Sequence, residues 1–98
     1  LKHSWYIHCV KSNKMIRELN ILNVFNNQII CFNTGENIIN KKSIIIIKKG
    51  NDKYEIASIE SIQHNQVDID CSTVNQEIGC ALTKTCKISF KYYLYLQQ

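Results

Sequence analysis

The chain has 98 residues, of which 45% are apolar and 20% charged, and its formal net charge is +4. That length accommodates one domain and excludes a separate catalytic unit beside it, and the composition is that of a folded chain rather than a disordered one. A pI near 8.8 is mild for a dedicated nucleic-acid binder, so RNA contact is permitted without being required.

No apolar run approaches the roughly 20 residues that span a bilayer, and Ile44 to Ile47 is strand-sized. The opening stretch, with Lys2, His3 and His8 in mixed surroundings, does not read as a signal peptide, so a cytoplasmic location with no membrane role is expected. The chain starts at Leu1 and stops just after an aromatic run, which suggests a piece of a longer protein. Abundant Ile, Asn and Lys with no Pro reads as drift in base composition and carries no functional weight.

In chain order, Leu1 to Lys14 carries Trp5, Tyr6, Ile7, Cys9 and Val10 without clean periodicity, and is either a strand or an extension foreign to the domain. We divide the chain there, taking 1–14 as an N-terminal extension and 15–98 as the folded domain. Arg17 to Phe25 fits period two imperfectly and could briefly fit a helix. Asn26-Asn27 is a turn, Gln28 to Asn33 a strand, and Thr34-Gly35 a stop where glycine can take a positive φ.

Ser43 to Lys49 is the clearest strand, with four β-branched isoleucines between lysines. Gly50-Asn51-Asp52 turns the chain. Tyr54 to Ile62 alternates except at Ile59 and Ile62, a lapse that a curving strand or a bulge would explain. A polar loop, Gln63 to Gln66, leads to the alternating Val67 to Cys71; Asn75-Gln76 turns again, and Glu77 to Thr83 and Lys87 to Leu96 complete the strands. Short strands with turns about every ten residues predict a small all-β barrel or sandwich.

The five cysteines, Cys9, Cys31, Cys71, Cys80 and Cys86, have no pair at zinc-ligand spacing, and their odd number leaves a thiol over in any disulfide scheme. They read as reduced packing residues. His3, His8 and Cys9 could hold a metal only weakly, and no metal site is expected. His64 with Asp68 and Cys71 or Cys80 could be drawn as a catalytic set, but nothing in the sequence activates a thiolate, and no enzyme activity is expected.

Several stretches carry a resemblance. Ile21-Leu22-Asn23-Val24-Phe25-Asn26, then Gly35-Glu36-Asn37-Ile38 and Lys41-Lys42-Ser43-Ile44, then Ile56 to Asp68 with Ser58-Ile59-Glu60 and Val67-Asp68, and finally Val74 to Gly79 follow one another as in a known barrel. The order resembles the fourth domain of the translation initiation factor 5B family, to which the bacterial factor two belongs, a barrel similar to the second domain of elongation factor Tu. Asn23 stands where that family has Pro, Asn75 where it has Gly, and the second glycine of the hairpin is missing. Asn is the side chain best able to replace Gly in a left-handed turn.

The resemblance covers about two thirds of the chain and implies a small closed antiparallel β-barrel that binds the aminoacyl acceptor end of initiator tRNA and assists ribosomal subunit joining. It implies initiator tRNA, the ribosome and the tail of initiation factor one-A as partners, for a monomeric domain. The parent would be a GTPase using GTP and Mg; this chain has no Gly-x-x-x-x-Gly-Lys-Ser/Thr loop and would carry no cofactor of its own.

The aminoacyl contacts implied are Ser61, Gln63 and His64 in the polar loop and Glu77, Ile78 and Gly79 at the following strand start. The bacterial relatives tend to have Cys where Ile78 stands. Lys41, Lys42, Lys48 and Lys49 would form a basic rim facing phosphate, or else protect an edge strand from aggregation. Phe90, Tyr92, Tyr93 and Tyr95 would stack bases or fill the core. The alternatives are a barrel of another translation GTPase or of a barrel-bearing peptidase, and a protein-interaction barrel without RNA binding.

Overall fold

The computed structural model describes residues 4–97. Among these residues there are one helix, α1 (Trp5–Ser12), and eight strands: β1 (Ile16–Leu19), β2 (Ile21–Phe25), β3 (Ile29–Asn33), β4 (Ile44–Gly50), β5 (Lys53–His64), β6 (Val67–Ile69), β7 (Glu77–Leu82) and β8 (Lys91–Tyr95). All pairings are antiparallel, in the order β1-β8-β4-β5-β7-β3-β2, with β6 added to β5. The sheet curls as a half-barrel around one main core. Asn20 alone separates β1 from β2, so one bent stretch of chain supplies both ends of that order.

The isoleucine run is explained by burial on both faces, which removes the need for polar alternation. Ile45 and Ile47 enter the main core with Ile30, Phe32, Ile62 and Leu82, while Ile46 points the other way. There it meets Ile16 and Tyr93 beneath α1, whose Tyr6, Cys9 and Val10 cover them. The helix is therefore a lid on the outer face of the sheet. Trp5 packs on Tyr95 with ring centroids 4.6 Å apart, and left-handed Asn13 at φ 53° ends the helix.

Part of the expected extension is thus helical, and the strand alternative for it is wrong. Positions 5, 6, 9 and 10 form a helical stripe, but β-prone Ile7 between them hid the period. The helical alternative for Arg17 to Phe25 is also wrong, since this stretch is β1 and β2, and a register shift between Ile21 and Asn23 accounts for its broken alternation.

The bulge expected in β5 is present: Ile59 pairs with Leu82 but Ser61 with Ala81, leaving Glu60 extra. One additional residue reverses the parity, so Ala57 and Ile59 before it and Ile62 after it all point into the core. Asn26-Asn27 and Asn65-Gln66 have both central φ values between 51° and 65°, the geometry of tight hairpin turns. Asn75 is left-handed at φ 53° and Gly35 at φ 57°. The final strand is shorter than expected, because Lys87 and the residues after it form a turn held by Tyr92. The buried Tyr92 hydroxyl accepts from the Lys87 N–H at 2.9 Å and donates to its carbonyl at 2.8 Å.

Candidate functional site

On the outer face of the β2-β3-β7 portion lies an open cleft of about 420 Å³. Alternation builds it: Ile30 and Phe32 of β3 and Ile78 and Cys80 of β7 point into the core, which turns Ile29, Cys31, Glu77 and Gly79 outward. Gly79 lacks a side chain beside Ile29 and Cys31, and this keeps the floor open; a β-carbon there would stand 3.4 Å from Ile29 Cγ2 and 3.6 Å from Cys31 Sγ. Leu22 and Phe25 form an apolar wall, 57% and 51% exposed. Gln63, Asn65 and Gln66 make a polar rim.

Glu77 is the one charged residue lining this cleft. Burial, and secondarily the neighbouring Glu77 carboxylate, hold the Cys31 thiol above its ordinary range. The cleft thus combines an apolar floor, amide groups at the mouth and one carboxylate, which suits a small apolar group bearing a cation or hydrogen-bond donors.

Of the six residues expected to contact an aminoacyl group, Gln63, Glu77, Ile78 and Gly79 line the cleft. The Ile78 side chain itself packs into the core at 3% exposure. His64 sits behind the rim, its Nδ1 2.9 Å from the Glu77 carbonyl oxygen and its Nε2 3.2 Å from Asn65 Nδ2. Since a carbonyl only accepts, Nδ1 carries the proton and Nε2 accepts from Asn65, so the imidazole ties the mouth of the cleft to β7. Ser61 pairs with Ala81 in the ladder and does not line the cleft. Ser61, Gln63 and His64 belong to β5 rather than to a loop, because the turn is confined to Asn65-Gln66. Leu22, Phe25, Ile29 and Cys31 were not anticipated as site residues; the available signal was an apolar excess on both faces of β2.

The four lysines do not form one rim. Lys41 and Lys42 lie in the turn before β4 and Lys48 near its other end, beyond four strand steps from Ile44 that span about 13 Å. Lys41 bridges Asp70 at 3.5 Å, and Lys49 bridges Glu55 at 3.3 Å. Nor do they guard an edge, since β4 is flanked by β5 and β8. Tyr92 and Tyr93 are buried, Tyr95 packs under α1 and Phe90 against the main core, so these rings fill space instead of presenting a stacking surface.

All five thiols are free. Cys80 is fully buried, and burial followed by the nearby Cys31 pushes its pKa up to about 12. The catalytic set drawn from sequence does not assemble among the described residues: both imidazole nitrogens of His64 are engaged as above, Asp68 accepts from Gln63 Nε2 at 3.0 Å, Cys71 Sγ donates to the Ser72 carbonyl at 3.4 Å, and Cys80 faces the core. Among the described residues no three of His, Cys, Asp and Glu come together as metal ligands. His3 lies outside the described residues. No helix among them is long and apolar enough to cross a membrane.

In comparison with known proteins, no family model matches this chain and no curated protein matches it.

Proposed function

We propose that this chain is a barrel of the initiation factor 5B type whose cleft receives the aminoacyl end of initiator tRNA, the methionyl side chain lying on Ile29, Cys31 and Phe25. The observation that carries this reading is the convergence of Gln63, Glu77, Ile78 and Gly79, drawn from two strands, on one apolar-floored cleft. The Glu77 carboxylate is placed to accept a free α-ammonium group, and the amides of Gln63, Asn65 and Gln66 to bond the ester and terminal ribose. Phe25 offers an aromatic edge to the thioether. The bent β1-β2 stretch, paired to β8 on one side and β3 on the other, would close the barrel of the elongation factor Tu domain-two type.

In this reading the GTPase domain with its GTP and Mg lies elsewhere in a cytoplasmic parent, and the ribosome and the tail of initiation factor one-A are further partners. The chain itself binds and performs no chemistry. A second reading, a protein-interaction barrel, draws on the exposed Leu22 and Phe25 of β2, which stands at the end of the sheet order.

The deciding experiment titrates the chain with methionylated and with bare initiator tRNA at two salt concentrations. Tighter binding of the methionylated form supports the cleft. Equal binding of the two forms overturns it, and no binding of either favours the protein-interaction reading.

A further inference from the structure

We propose that the lysines where β4 ends and β8 begins, Lys48, Lys49, Lys87 and Lys91, form a phosphate-binding surface for the backbone of an RNA. The proposal stands apart from the cleft and does not depend on it. The register sets Lys48 directly opposite Lys91. Side chains so placed have β-carbons about 5 Å apart, and like charges there repel. Lys49 and Lys87 converge on one ring, each ammonium 5.9 Å from the centroid of Phe90, and Lys48 lies 6.0 Å from that of Tyr54. A shallow hollow of about 230 Å³ opens between Lys48, Lys49, Asn51, Ser89 and Lys91.

The charge is concentrated here. Residues 48–55 and 84–91 hold six cations and two carboxylates, a balance of +4 that equals the net charge of the whole chain. Both carboxylates are engaged, Asp52 by Lys11 at 3.3 Å and Glu55 by Lys49 at 3.3 Å. Among the described residues Lys48, Lys87 and Lys91 form no ion pair. A polyanion laid across this end would turn an unanswered repulsion into attraction and release its counterions.

Two features favour RNA over an anionic bilayer. Asn51 and Ser89 line the hollow between the ammonium groups, where they can bond phosphate oxygens and 2′-hydroxyls. Ile88 is exposed at the tip, but it is one apolar side chain, whereas a membrane-surface binder presents an apolar face. The expected rim residues Lys41 and Lys42 are excluded from this surface by their position at the far end of β4.

The test uses the full chain and a short RNA duplex carrying no amino acid, so that the cleft cannot contribute. Binding is measured by anisotropy from about 50 to about 200 mM salt, and four phosphate contacts predict a log-log slope of about −3.6. The double variant Lys48→Gln/Lys91→Gln is expected to flatten that slope by about 1.8, while Lys41→Gln/Lys42→Gln leaves it unchanged. The melting temperature of the first variant should hold or rise, because a repulsive pair has been removed. An unaltered slope, equal effects of the two double variants, or no duplex binding overturns the proposal. So does binding to phosphatidylserine vesicles, but not to the duplex, that Lys48→Gln/Lys91→Gln abolishes; the ligand would then be a lipid surface.

Discussion

Replacing Gly79 by Ala should move stability and ligand binding in opposite directions. Gly79 lies in extended β7, and Gly35 is the positive-φ glycine among the described residues, so the native backbone at 79 suits an L side chain. The new β-carbon would meet Ile29 Cγ2 at 3.4 Å and Cys31 Sγ at 3.6 Å, ordinary contact distances that demand no rearrangement. Restricting the unfolded chain then stabilises the domain by about 0.4–1 kcal/mol, which raises the melting temperature by roughly 2–8 °C for a domain of this size. The same methyl group covers the cleft floor. One methylene in an apolar pocket is worth about 1–3 kcal/mol, so preference for methionylated over bare initiator tRNA should fall at least about fivefold. Circular dichroism melts and parallel tRNA titrations read the two effects. Undiminished preference in a stabilised variant would remove the cleft as the aminoacyl site, and a destabilisation above about 1 kcal/mol would refute the steric argument.

Tyr92→Phe deletes the hydroxyl that serves both backbone groups of Lys87, and should cost about 1–3 kcal/mol in urea unfolding; a loss below about 0.5 kcal/mol would show that water replaces it. Cys80 is protonated in the folded state to about pH 12, while the unfolded thiol ionises near its ordinary value of 9.0. The folded state is therefore fully favoured below pH 9 and loses stability between 9 and 12, at a rate on the order of 1 kcal/mol per pH unit from this group. Denaturant titrations from pH 8 upward should show this decline, and a smaller one in Cys80→Ala; an equal slope in the variant would assign the decline to other groups. Of the five thiols, exposed Cys71 should be alkylated first and the buried Cys80 and Cys86 last in mass-spectrometric labelling, an order that early modification of Cys80 would contradict.

The local signals in this chain were strong wherever side-chain chemistry restricts the backbone. Paired asparagines marked turns because Asn tolerates positive φ, and the β-branched run marked β4 because those side chains are stiff at χ1. The lapse in alternation at Ile59 and Ile62 is compatible with a curved strand or a bulge, and the register shift between Ile59 and Ser61 makes it a bulge, since one inserted residue returns both side chains to one face. The helix escaped notice because its eight residues are too few to impose a visible period, and its stability comes from Ile16, Ile46 and Tyr93 beneath it.

By itself the sequence determined that this is a β-rich domain with short hairpins, reduced cysteines and a modest positive charge, because these follow from local conformational preference and from counting. The tertiary structure alone decided which apolar residues were surplus to the core. Leu22, Phe25, Ile29 and Cys31 look like core residues in the chain, and they became a cleft wall and floor when β2, β3 and β7 were brought side by side. It likewise left Lys42 in the turn before β4 while Lys48 lies near that strand's other end, and set Lys48 against Lys91, 43 positions away in the chain. Strand partners distant in sequence are chosen by the register that fills the whole core, and no short stretch of the chain contains that information.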